Sequence, residues 1–187
     1  MGLLSMIKGV ITSSTTQDKP LSATFATRPD TVYAPLSGVL VPLKEINDTV
    51  LSAGLLGEGY GILPTGGHVL YAPVNGRVSA TTVTNHAIGL LGEGGIEVLI
   101  HIGLGTVEME GKGFSRLVEA NRRVKAGDPL IVFDPEAIEA AGHENVVVVA
   151  VSNADENVSV EHVGDSGTLL GGRPLVKLGD PLLLVRK

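Results

Sequence analysis

Two pairs of near-identical runs constrain this chain more than any other feature. "YAPLSGVL" at 33–40 returns as "YAPVNGRV" at 71–78, and "VKAGDPLIVF" at 124–133 returns as "VKLGDPLLLV" at 176–185. Each run is short, aliphatic and bounded by Gly, Pro or Asn, the punctuation of strands joined by tight turns. Two early copies and two late copies imply a duplicated β unit whose halves interlock, the early strand of each unit meeting its late one. The remaining chain reads the same way, in runs such as "IEVLIHI" and "VVVVAVSN". The expected fold is therefore all-β: a duplicated, interlocking β-sandwich or barrel with one or two very short helices. One helix is expected in "DPEAIEAAGH", with Asp134 as N-cap, Pro135 at the first position and Gly142 as terminator. A single turn is expected from Asp48 in "NDTVLSAGL". "GLLGEG" also recurs, at 54–59 and 89–94, but at a different offset, and is read as a similarity of glycine turns.

Composition narrows what such a fold can do. Hydrophobic residues make up 43% of the chain and aromatics only 3%, so Val, Leu and Ile must fill the core. The 187 residues suffice for one domain, expected over 31–187. A formal net charge of −6 without basic clusters argues against nucleic acid, whose binding rests on phosphate neutralisation, and suits a basic protein partner. The chain has no cysteine, which excludes disulfides, thiolate catalysis and zinc–sulfur sites. No apolar run reaches the roughly 20 residues of a membrane helix. Residues 1–30 read as a flexible leader. Leu3, Leu4, Ile7 and Ile11 share one helical face, so a short surface helix touching membrane or partner is the alternative, with Lys8 giving it little electrostatic support.

Five histidines remain to be placed. His68, His143 and His162 sit in turn-like or mixed settings and read as solvated, structural residues. His86 and His101 differ. With a turn at Gly92–Gly95, 87–91 and 96–100 form a hairpin, whose open end brings His86 and His101 together. Imidazole is the side chain that is neutral and nucleophilic, or cationic, near neutral pH. "GEGYG" and "GEGG" fit neither phosphate-loop spacing and read as turns.

"APLSG", "GYGILPTG", "APVNG", "TNHAI", "HIGLGTVEMEGKGF" and "VKAGDPLIVFD" together resemble the glucose-family enzyme IIA domain of the bacterial sugar phosphotransferase system, over most of 32–187. The resemblance implies a duplicated β-sandwich, in agreement with the repeats. It implies that His101 is phosphorylated, that His86 is its partner, and that Thr84 holds the second imidazole by a hydrogen bond. It implies a cytoplasmic phosphotransferase component that takes a phosphoryl group from the carrier HPr and passes it to a cysteine on the IIB domain of a sugar permease. No cofactor and no metal are implied, and the membrane is reached through the permease, apart from a weak N-terminal contact. Asp48 matches an acidic position beside the family's site. Leu51, Leu55, Leu56, Leu99 and Val107 match apolar positions around it, as docking surface or as core. One departure stands out: Gly105 occupies the place of the usual Asp in H-[FIL]-G-[IL]-D-T-V.

The chemistry gives two histidines separate work. Phosphoryl transfer is in line and loose, so the protein mainly positions groups and stabilises charge. One neutral imidazole attacks, and the other donates a hydrogen bond to the equatorial oxygens. Main-chain N–H groups in "IGLGT" are expected to add donors. Two other classes fit less well. A biotin or lipoyl carrier needs an exposed Lys at a hairpin tip, in Met-Lys-Met or Asp-Lys-Ala, and neither is present. A lysostaphin-type zinc peptidase needs an H-x-H pair, and His101 is followed by Ile102 and Gly103. A regulatory protein-binding module of the same fold, with weak or altered phosphotransfer, is the main alternative.

Overall fold

The computed structural model describes residues 19–154, 158–164 and 167–186. The strands are β1 (Thr31–Tyr33), β2 (Gly38–Pro42), β3 (Glu58–Pro64), β4 (Val69–Tyr71), β5 (Gly76–Thr81), β6 (Ala87–Gly92), β7 (Glu97–Ile102), β8 (Phe114–Arg116), β9 (Arg123–Val124), β10 (Pro129–Phe133), β11 (Val147–Val151), β12 (Ser159–His162), β13 (Leu169–Leu170), β14 (Arg173–Val176) and β15 (Pro181–Arg186). Among the described residues there are two short α-helices, α1 (Thr49–Ser52) and α2 (Pro135–Ala140), and two 3₁₀ turns, Leu43–Glu45 and Thr106–Met109. Asp134 caps α2 by accepting from Ala137 N at 3.0 Å, as the sequence leads one to expect.

Antiparallel pairing assembles an open nine-stranded sheet, in the order β13-β14-β2-β3-β11-β7-β6-β5-β9. Two three-stranded sheets, β1-β15-β12 and β4-β10-β8, accompany it. One aliphatic core joins all three: Val32 and Leu182 from the first small sheet, Leu70, Leu130 and Phe133 from the second, and Val78, Ile88, Ile100 and Val149 from the large one. The architecture is a sandwich without closure into a barrel.

The repeats explain the wiring. The outer copies meet, β1 with β15 and β2 with β14, and the inner copies meet, β4 with β10 and β5 with β9. Equivalent hydrogen bonds appear in both units. Ala34 N donates to Asp180 O at 2.8 Å, and Ala72 N to Asp128 O at 2.8 Å. Lys177 N donates to the Asp180 carboxylate at 2.7 Å, and Lys125 N to that of Asp128 at 2.8 Å. The units also clasp each other, since Tyr33 N donates to Pro73 O at 3.0 Å and Tyr71 N to Pro35 O at 2.9 Å. Each unit thus completes its main-chain pairing only with the other in place.

Of the expected leader, residues 1–18 lie outside the described residues. Residues 19–30 run along the domain: Ala23 N donates to Gly127 O at 2.9 Å, and Phe25 packs its ring 5.3 Å from that of Tyr33.

The central strand β11 is buried along its whole length because both faces of the sheet are covered there. Val147, Val149 and Val151 enter the main core, whereas Val148 joins a second cluster with Val41, Ile46, Leu51, Leu104 and Val146 on the opposite face. That second face carries the candidate site.

Candidate active site

The β6–β7 hairpin forms as the sequence predicts. Ala87 stands opposite His101, and Leu90 opposite Val98. Along β7, Val98, Ile100 and Ile102 are buried in the main core, so Leu99 and His101 turn to the other face, both half-buried. His101 is also opposite Val148 of β11, and therefore stands between two strands of a rigid sheet. Ile102 N donates to His86 O at 2.8 Å, which fixes the backbone of His86 at the same rim. The two rings meet edge to face, with centroids 4.9 Å apart and planes at 74°.

The ring nitrogens are distinguished by their surroundings. Thr84 Oγ1 lies 2.5 Å from His86 Nδ1. His101 Nδ1 is buried without a hydrogen-bond partner among the described residues, although the Gly103 main chain beside it favours the protonated ring. Nε2 is thus the nitrogen left for chemistry on each ring. Burial holds the pKa of His86 below its ordinary value. His101 is lowered too, first by burial and then by His86, while Gly103 and Asp48 act in the other direction. Both rings are held toward the neutral form, and a neutral ring has a lone pair with which to attack.

The turn after β7 needs glycine at Gly103. Its φ is +72°, and a Cβ there would lie 2.4 Å from Thr106 Cγ2. Thr106 is fully buried and donates from Oγ1 to Ile102 O at 2.6 Å, which folds the turn back on the strand end. The expectation of free main-chain donors in "IGLGT" needs correction at three positions. The N–H groups of Ile102, Gly103 and Leu104 are engaged by the carbonyls of His86, Val146 and Glu144. Gly105 opens the following 3₁₀ turn at φ +69°, and a Cβ there would come within 3.1 Å of His143 Nδ1. Where the family pattern has a carboxylate, this chain presents the half-buried imidazole of His143 beside a bare backbone. Of the other histidines, His68 is exposed just before β4 and His162 faces Gly59 O at 3.1 Å. Among the described residues no cluster of three or more His, Cys, Asp or Glu could hold a metal ion.

Asp48 caps α1, its carboxylate accepting from Val50 N and Leu51 N at 2.9 Å each. The apolar positions divide. Leu55 (72% exposed) and Val107 (55%) are surface residues, Leu99 and Leu56 are half-buried, and Leu51 (4%) is in the second cluster. Leu51 therefore supports this face from below, as core, the second of the two places open to these apolar positions. Val50, 44% exposed beside it, is the apolar residue that sequence reading missed.

Residues 30–157 match the family model described as "phosphoenolpyruvate-dependent sugar phosphotransferase system, EIIA 1". The chain belongs to that family. It is a IIA component of the sugar phosphotransferase system and so a phosphotransferase component. It is 41% identical over 145 residues to the PTS system glucose-specific EIIA component of Staphylococcus epidermidis, covering 78% of this chain and 86% of that one. It is 40% identical over 153 residues to the PTS system beta-glucoside-specific EIIBCA component of Dickeya chrysanthemi, covering 82% of this chain and 24% of that protein. Among solved structures, the glucose permease IIA from Mycoplasma capricolum superposes with a TM-score of 0.71 at 30% identity, covering 88% of this chain and all of the other. No helix among the described residues is long and apolar enough to cross a membrane.

Proposed function

We propose that His101 accepts a phosphoryl group from the histidine of phospho-HPr and passes it to a cysteine on a IIB domain, in the cytoplasm. The observation that supports this most is the pair of rings at one sheet rim, with one Nδ1 buried and the other bound to Thr84. His101 Nε2 attacks the phosphorus. As that bond forms, the bond to the carrier's nitrogen breaks and the carrier imidazole leaves with the electron pair. The proton of neutral His101 stays on Nδ1, beside Gly103. In the onward step a cysteine thiolate attacks, and Nε2 departs with its electron pair. The Thr84 hydroxyl donates to His86 Nδ1, which places the ring proton on Nε2. His86 is then a donor for the oxygens on which charge gathers. Leu55, Val107 and Val50, with half-buried Leu99 and Leu56, make the apolar rim to which both partners dock in turn, with Asp48 supplying negative charge.

Incubation of the full chain with phosphoenolpyruvate, enzyme I and HPr, followed by intact mass, tests the assignment. The wild type should gain one phosphoryl group and His101→Ala none. A phosphorylated His101→Ala would overturn the acceptor. A wild type that gains nothing would favour the regulatory alternative. His86→Ala should slow both half-reactions by roughly 100- to 1,000-fold, the usual effect of losing one such donor. His86→Gln should still accept but transfer onward slowly.

A further inference from the structure

His86 is carried by the turn 82–86, outside the regular ladder of β6. Thr82 closes that turn: Asn85 N donates to Thr82 O at 3.2 Å, Thr82 N donates to Ala87 O at 3.4 Å, and Ala87 N donates to Thr82 Oγ1 at 3.2 Å. Asn85 has φ +57°, a left-handed conformation that a short amide side chain tolerates. The tip of the turn has little packing of its own, since Val83 is 99% exposed. Something must hold it, because Thr84 and His86 stand in it two residues apart.

The holding group comes from a different sheet. Arg116 ends β8, which pairs with β10 and not with the hairpin. Its guanidinium donates to Asn85 Oδ1 at 2.8 Å and to Thr82 O at 3.3 Å, while the other terminal nitrogen pairs with Glu119 at 3.1 Å. Its side chain is only 22% exposed, and Nε is buried. One nitrogen of the guanidinium thus meets two residues of the turn at once, and the other, held by Glu119, fixes its orientation. A lysine has one nitrogen where the guanidinium has two, so it could reach the turn only without the simultaneous Glu119 pairing that fixes the group's orientation. Gly111, two residues beyond the 3₁₀ turn, also lies near the turn 82–86; a Cβ there would be 3.6 Å from Thr84 Cα.

We propose that Arg116 is a positioning residue for phosphoryl transfer, which sets the Thr84–His86 hydrogen bond and the approach of His86 to His101 by clamping Asn85 and Thr82. It touches neither imidazole and acts through the turn. This inference rests on the reading of His86 as the partner of the phosphoacceptor, and it adds the second sheet to the site.

The test has one readout independent of phosphorylation. Long-range ¹H–¹⁵N spectra of the full chain report the tautomer and pKa of each histidine. In Arg116→Met the His86 signals should leave the wild-type pattern, while the core methyl signals stay in place. Transfer to and from HPr should slow by roughly 10- to 100-fold, the effect of loosening a positioned group. Final occupancy of His101 should be unchanged. Arg116→Lys should fall between. If Arg116→Met does not fold, Asn85→Gly removes the shorter of the two contacts at a residue that already has positive φ, and should shift the same signals and slow the same transfer to a smaller extent. Wild-type His86 signals and transfer rates in a folded Arg116→Met, or in Asn85→Gly, would overturn the proposal. A wild type that takes up no phosphoryl group would overturn the reading of the site, and the His86 signals would still decide the role of Arg116.

Discussion

The proposed chemistry turns on the state of two imidazoles. A histidine in water has a pKa near 6.5, and burial lowers that of both His86 and His101. Two consequences follow. His101 stays neutral below the pH at which a free imidazole protonates, so the acid limb of phosphoryl uptake should have its midpoint below 6.5. A limb centred above that value would contradict the burial argument. The second consequence concerns stability. The unfolded chain takes up a proton near pH 6.5, whereas the folded chain does so only at lower pH. Between those values the unfolded state binds more protons, so stability falls as pH drops below 6.5 and levels off beneath the folded pKa. His101→Gln removes one such group. Urea midpoints at about pH 7.5 and about pH 5.5 should differ less in this variant than in the wild type. An identical loss in both would place the acid sensitivity elsewhere.

At the scale of elements, α1 shows how a very short helix earns a fixed position. Four residues cannot form a stable helix on propensity alone. Asp48 satisfies two of its N–H groups, and Leu51 buries its side chain against Val41, Ile46 and Val148. Asp48 thus anchors the apolar rim and also bears on His101 through its charge. The two roles are separable. Asp48→Ala should cost about 1 kcal/mol of stability, the usual value of a lost cap. Asp48→Asn keeps a capping oxygen and should cost well under that, yet lower the His101 pKa further because the carboxylate is gone. Urea denaturation and histidine titration by NMR measure the two effects. Equal stability loss in both variants would mean that charge, not capping, holds α1.

For the whole molecule, duplication produces a sheet long enough to have two useful faces. One covers the main core, and the other holds the second cluster, α1 and the histidine pair. The chain carries a formal charge of −6. A basic carrier should therefore associate faster at low salt, since exposed charges are screened over about 8 Å at physiological ionic strength. Stopped-flow association with HPr across salt concentrations checks this. A rate independent of salt would leave docking to the apolar rim of Leu55, Val107 and Val50.

The local features were legible in the chain itself. Repeated runs announced the duplicated sandwich, because identical strand and turn sequences need identical hydrogen-bond partners. Asp48 and Asp134 announced their helices, since a cap acts within three residues. The hairpin announced the meeting of His86 and His101, because its register follows from the short turn between them. Long-range packing was not legible. Nothing near Leu51 in sequence distinguishes it from Leu55, yet one faces the sheet and the other faces solvent. The N–H groups of Gly103 and Leu104 looked free until the segment before β11 arrived to accept them. His143 lies some forty residues from the Gly105 that it covers, and Arg116 about thirty from the Asn85 that it grips. The sequence by itself determined which elements form and which residues could do chemistry, because capping, turn geometry and strand alternation are local. Only the tertiary structure decided which groups are buried, engaged or left free, because those depend on side chains brought together from distant parts of the chain.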